Sequence, residues 1–190
     1  MSQQIQQWQQ KIDALTGEFK ERFGDLPADE LNRKPNAQTW SIAENMKHLI
    51  SVNESYFPIL EQMKQGRYKT SLMARVPFFV NFMGNTILKS VAPDRRKKMS
   101  TFPMWEPVTA AIEGDIVNDF AKHQGRLKEA IAGSENLLQA KAVISSPANR
   151  NIVYTLEKAF EIIVAHEERH LNQAIEAFDV IYHNQYKYDL

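Results

Sequence analysis

The 190-residue chain contains no cysteine, which removes disulfides, thiolate metal ligands, cysteine-rich structural zinc sites and any cysteine nucleophile. Sulfur chemistry here must arrive with a substrate. Charge of one sign is missing too: 23 Lys plus Arg balance 23 Asp plus Glu, so no overall basic field gathers nucleic acid and none is expected as a partner. The opening MSQQIQQWQQ lacks the basic and then apolar regions of a secretory signal, and the expected location is the cytoplasm. No membrane span is expected either, because Pro77, Asn81, Gly84 and Asn85 interrupt the apolar stretch that begins at Val76. Internal repeats, low-complexity tracts and convincing strand runs are absent. With 43% apolar residues, the chain suits a single domain over residues 1–190 with a sizeable core.

What is present is helical periodicity. Ile5, Trp8, Ile12, Leu15 and Phe19 alternate steps of three and four along a first helix, which should fade near Gly24 into a loop holding a short helical turn. Ser41-Ile-Ala-Glu44 has capping-box spacing and starts a second helix, striped by Ile42, Met46, Leu49, Asn53, Tyr56, Leu60 and Met63. Pro58 is expected to kink it. A third helix is predicted from Val108 to Ile131, and a fourth on Leu156, Ala159, Ile163, His166, His170, Gln173 and Ala177. The fold class is therefore all-α, an up-and-down four-helix bundle whose long connection between helices 2 and 3 contains a short extra helix at about 77 to 90.

Three histidines stand out against this pattern. His166 and His170 project from one face of helix 4, about one turn apart, and His48 sits at the stripe edge of helix 2. Imidazole fills a core poorly but ligates divalent metals well. A common height is reachable: His48 lies roughly 10 Å into helix 2 and His166 roughly 16 Å into helix 4, and helices 2 and 4 would run parallel in an up-down-up-down bundle. Metal binding should weaken as pH falls through the imidazole range. Glu44, one turn before His48, could accept its free ring N–H or serve only as a cap. Gln173 could bind substrate or orient His170. Glu167 and Glu168 read as solvated charges, His123 as a hydrogen-bonded core residue outside the metal set, and His183 as surface.

Leu31-Asn-Arg-Lys-Pro35, Thr39-Trp-Ser-Ile-Ala-Glu44 with His48-Leu49, and far downstream His166-Glu-Glu-Arg-His170-Leu-Asn-Gln173 resemble the DinB superfamily of metalloenzymes over nearly the whole chain. The resemblance implies a four-helix bundle with a histidine triad, here His48, His166 and His170. It also implies a divalent metal, zinc or nickel, and in several relatives the transfer of a low-molecular-weight thiol, such as bacillithiol or mycothiol, to an electrophile. It does not select one reaction. Three readings follow: a metal-dependent thiol transferase or related hydrolase or isomerase acting on a small-molecule substrate, a non-catalytic metal or small-molecule binding protein of stress response, and a metal-free structural bundle.

Two features fall outside the bundle logic. The Val76-Pro-Phe-Phe-Val80 patch with Phe82 and Met83 is more apolar than a peripheral connection normally exposes, and points to a homodimer contact or a lid. The run Arg95-Arg-Lys-Lys98 is too small a basic footprint in a neutral chain to specify nucleic acid or membrane.

Overall fold

A computed structural model describes residues 1–94, 101–107 and 110–185, with side chains to residue 182. The element order is α1 (Gln3–Phe23), α2 (Ala28–Asn32), α3 (Ile42–Glu54), α4 (Phe57–Lys64), α5 (Pro77–Val91), α6 (Ile116–Ala132), α7 (Glu135–Gln139), β1 (Val143–Ser146), β2 (Asn149–Thr155) and α8 (Leu156–Gln185). The basic run at 95–98, the start of the third predicted helix at 108 and the His183 side chain lie outside the described residues. Among them, no helix is long and apolar enough to cross a membrane.

Four long helices make the bundle, and α1 and α3 each pack against both α6 and α8. In cross-section the order is therefore α1, α6, α3, α8. Trp8 meets Phe160 and Phe23 meets Phe178, with ring centroids 5.4 and 5.9 Å apart, so α1 and α8 run parallel. Asn45 reaches His170 and Tyr56 reaches Tyr154, so α3 runs against α8. Phe19 packs on Phe120 while Asp13 pairs with Lys128, so α6 runs against α1 and with α3. The four-helix bundle of the sequence reading stands, but its premise that helices 2 and 4 are parallel does not. The physical reason is the long connection after α3: it returns the chain to its starting end, and the third bundle helix repeats the direction of the second.

Local rules explain the element boundaries. The Ser41 hydroxyl accepts from Glu44 N while Glu44 accepts from Ser41 N, completing the capping box that starts α3. The expected kinked helix 2 is instead two helices. α3 ends at Glu54, and Pro58 sits in the first turn of α4, where its missing N–H costs nothing. α6 begins eight residues later than expected, capped by Asp115, whose carboxylate accepts from Asn118 N. Ile112, read as helical, is held in extended chain by two hydrogen bonds with the Asn32 side chain.

The absence of strands was the clearest misreading. β1 and β2 pair antiparallel, Ile144 opposite Tyr154, around Pro147-Ala148 and with a bulge beside Ser146. A two-stranded hairpin is marginal alone, and this one is held by packing on α5. At Gly84 of α5, an added Cβ would stand 2.8 Å from Lys158 Cγ and 3.0 Å from Tyr154 Cβ, so only glycine permits that approach.

The buried apolar residues form two clusters. One gathers Ile5, Trp8, Ile12, Val52, Tyr56, Leu127, Phe160 and Ile163 near the hairpin; the other gathers Leu15, Phe19, Ile42, Met46, Leu49, Phe120 and Leu171 at the opposite end. Each fully buried large side chain contributes about 1.5 to 3 kcal/mol. Between the clusters, at mid-height, lies a layer of buried polar residues: Asn45, His48, Asn53, His123, Gln124, Glu167 and His170.

Candidate metal centre

His48, on the middle turn of α3, meets His166 and His170 on α8, and one ligand atom of each lies within 4.8 Å of the others. The Nε2 atoms of His48 and His170 stand 3.3 and 3.0 Å from His166 Nε2. The triad is assembled across the α3–α8 seam, through antiparallel helices and not the parallel pair on which the height argument rested.

Proton placement decides what this cluster can hold. His48 Nδ1 lies 2.7 Å from the Trp105 carbonyl oxygen, which can only accept, so Nδ1 carries the proton. His170 Nδ1 lies 2.7 Å from Asn45 Oδ1, and the Asn45 amide is oriented by its Nδ2 donating to the Ser41 carbonyl. His170 Nδ1 is therefore also the donor. Burial pushes His48 down to about 4, only partly offset by the Trp105 hydrogen bond. Burial, then the neighbouring rings and Arg169, hold His170 well below the ordinary histidine value, while His166 is lowered by burial, His48 and Arg169.

With both rings neutral and protonated on Nδ1, their Nε2 lone pairs face His166 Nε2. A neutral His166 has at most one proton to offer there, so two hydrogen bonds cannot form and one acceptor stays unmatched. A cation resolves the conflict. Nitrogens bound to a tetrahedral ion at zinc distances would stand roughly 3.4 Å apart, close to the spacing observed. The chemistry of the donor set therefore fits a divalent metal, and three imidazoles leave further coordination positions open.

Trp40 closes one side, its ring stacked on His170 at 5.6 Å and 18° and tilted against His48 at 4.8 Å. Asn45, Trp40 and the Trp105 carbonyl are site residues that sequence reasoning missed. Trp40 lies inside the block quoted for the family and Asn45 at an unspecified position between Glu44 and His48, whereas a main-chain carbonyl leaves no sequence signal. Glu44 is not the partner of His48: its carboxylate is spent on the Ser41 cap and on Lys34, 2.9 Å away. Gln173 is half-buried one turn beyond His170 and, among the described residues, makes no hydrogen bond to the triad.

Two expectations about the surroundings are overturned. Glu167 is not a solvated charge but fully buried, its Oε1 accepting from Asn53 Nδ2 and Gln124 Nε2, both at 2.8 Å. On a helix facing three neighbours, the residue after a stripe position still points into the bundle. Burial raises its carboxyl to about 7 against those two hydrogen bonds. His123 is buried as expected, yet neither ring nitrogen has a hydrogen-bond partner. Glu54 at 3.9 Å is too distant to bond, and burial lowers the ring to about 4.

A sequence model of the DinB superfamily matches residues 3–174. The chain belongs to the DinB superfamily. It also resembles the solved structure of YfiT from Bacillus subtilis, described as "a probable metal-dependent hydrolase with an unusual four-helix bundle topology". The TM-score is 0.60 at 15% identity, over 95% of this chain and 90% of that one, a likeness that establishes the fold. No curated protein matches the chain.

Proposed function

We propose that this DinB-superfamily protein holds one divalent metal ion, zinc or nickel, on His48, His166 and His170, and uses it to transfer a low-molecular-weight thiol to an electrophilic small molecule. The observation that carries the metal is the set of three Nε2 atoms that cannot satisfy one another. A divalent ion there would supply positive charge that lowers the pKa of a thiol or water.

The chain's own residues do the positioning. The Trp105 carbonyl and Asn45 fix the tautomers of His48 and His170 and aim their Nε2 atoms inward. Trp40 covers the His170 ring face and shields it from water. The lack of cysteine and of any other strong nucleophile motif favours a nucleophile brought in from outside. Hydrolysis is the second reading, supported by the description of YfiT.

The two separate in one assay. Metal-loaded protein with a panel of electrophiles should turn over only when a small thiol is present, and His48→Ala should fall to the level of metal-free protein. Turnover without thiol would replace transfer by hydrolysis; loaded protein inert with every pair would leave a binding protein.

The proposal extends to a homodimer. Leu72, Phe78 and Phe82 are 72, 69 and 59% exposed, and Phe78 stacks on Phe82 at 6.0 Å, apolar surface that a second copy would cover. Light scattering at micromolar concentration should report twice the chain mass, falling to the monomer in Phe78→Glu. A monomeric wild type would refute the dimer.

A further inference from the structure

A second site lies away from the triad, in a cleft of about 380 Å³ between the end of α4 and the β1–β2 hairpin. None of the residues that line it is a triad histidine or a hydrogen-bond partner of one, so the two sites share no residue. Three cationic side chains line it, Arg67 and Lys69 from the segment after α4 and Arg150 from β2, and no carboxylate does among the described residues. In a chain with balanced charge, three cations around one hollow make a local positive field; among the described residues no carboxylate pairs with them, and Arg67 donates to the neutral Gln65 side chain.

The hollow is built rather than accidental. Gly66 takes φ +66°, a left-handed turn that glycine adopts without strain, and it sends the chain back so that Arg67 N and Tyr68 N both donate to the Gln62 carbonyl, at 2.8 and 3.1 Å. The Tyr68 hydroxyl then accepts from Ser145 N at 2.8 Å, pinning this segment to β1. Ser145, one of the lining residues, is 5% exposed, and its hydroxyl is buried with no hydrogen-bond partner. A buried hydroxyl without a partner is costly, and a ligand oxygen would satisfy it. Ile59 and Pro147 give the cleft an apolar side.

We propose that this cleft binds a small organic phosphate monoester. Its oxyanion would lie among Arg67, Lys69 and Arg150 with the Ser145 hydroxyl donating to it, and its apolar body would rest on Ile59 and Pro147. Guanidinium groups match phosphate oxygens in pairs, and a hydroxyl supplies the short donor a phosphate accepts.

The test is an amide NMR titration of the full chain with phenyl phosphate, inorganic phosphate and neutral benzyl alcohol. Phenyl phosphate should give saturable shifts confined to residues 66–69 and 143–150, with tighter binding than inorganic phosphate and none from benzyl alcohol. The double variant Arg67→Ala/Arg150→Ala should weaken binding by at least about tenfold, as the loss of charge-assisted hydrogen bonds requires. Ser145→Ala should weaken it too while keeping the Ser145 N to Tyr68 bond, and His166→Ala should leave it intact. Absent or scattered shifts, or binding indifferent to the double variant, would overturn the site; equal affinity for inorganic phosphate would overturn the monoester assignment.

Discussion

His166→Ala should lower zinc or nickel affinity by at least about a hundredfold, because removing a ligand must exceed the 10- to 100-fold typical of losing an outer partner of one. His166 is the member whose Nε2 faces both others, at 3.0 and 3.3 Å, so its loss leaves two imidazoles without a third donor between them. Helix content should hardly change, since alanine favours helix and the apolar clusters on either side remain. Metal analysis of untagged protein beside circular dichroism reads both quantities. Stoichiometric metal in the variant would refute the triad assignment.

The same rings set an acid limit. In the folded chain they are neutral, His48 at about 4 and the other two well below the ordinary value, whereas in the unfolded chain they take up protons near 6.5. For these rings the unfolded state therefore binds more protons in that window, and their contribution to the stability of the metal-free protein, complete above pH 6.5, falls as pH drops towards 4. Metal release on acidification should accompany unfolding instead of following free imidazole titration. Release near pH 6.5 with the fold intact would contradict this.

Glu167→Gln should stabilise the metal-free protein above pH 7 by about 3 kcal/mol, the order set by a carboxyl raised from 4.5 to about 7. The sign follows from proton binding. Between those values the folded carboxyl holds a proton that the unfolded one has lost, so stability falls as pH rises through the window and stays low above it. Glutamine keeps an acceptor for Asn53 Nδ2 and Gln124 Nε2. Its amide also brings two donors to a cluster where Asn53 Oδ1, Gln124 Oε1 and Glu167 Oε2 all lack partners. Urea unfolding at pH 5 and pH 8 measures it: the two proteins should be close at the lower pH and separate at the higher. A constant difference, or a less stable variant at pH 8, would refute the account.

These two residues mark how far the sequence could be read. His166 sits on the apolar stripe of α8, so period and chemistry together exposed it, and the two blocks around Trp40 and His170 brought in the third ligand from α3. Glu167 is its sequence neighbour and was misread as a solvated charge, because stripe reasoning assigns one face inward while α8 packs against both α1 and α3. Its partners Asn53 and Gln124 come from two other helices, a pairing that no local pattern encodes. The hairpin failed for a different reason. Val143-Ile144 and Ile152-Val-Tyr-Thr155 are strand-like in composition, but each run is too short to register alternation, and what stabilises them is the helix surface beneath. Helix direction was invisible for a third reason: connection length permits either course, and only the packed contacts of α3 with α8 choose.

The tether of His48 is a peptide carbonyl, at Trp105, and this makes it indifferent to side-chain identity. An alanine scan through residues 101–107 would keep the oxygen itself at every step, and Trp105→Ala, which removes a side chain packed on the bundle core, is the step expected to move it. Changing the length of the segment by one residue would move the oxygen and free the ring to rotate. The site should therefore tolerate sequence drift in this stretch outside the packed Trp105 while rejecting insertions and deletions. For anyone aligning or redesigning this protein, spacing carries functional information there that residue identity alone does not.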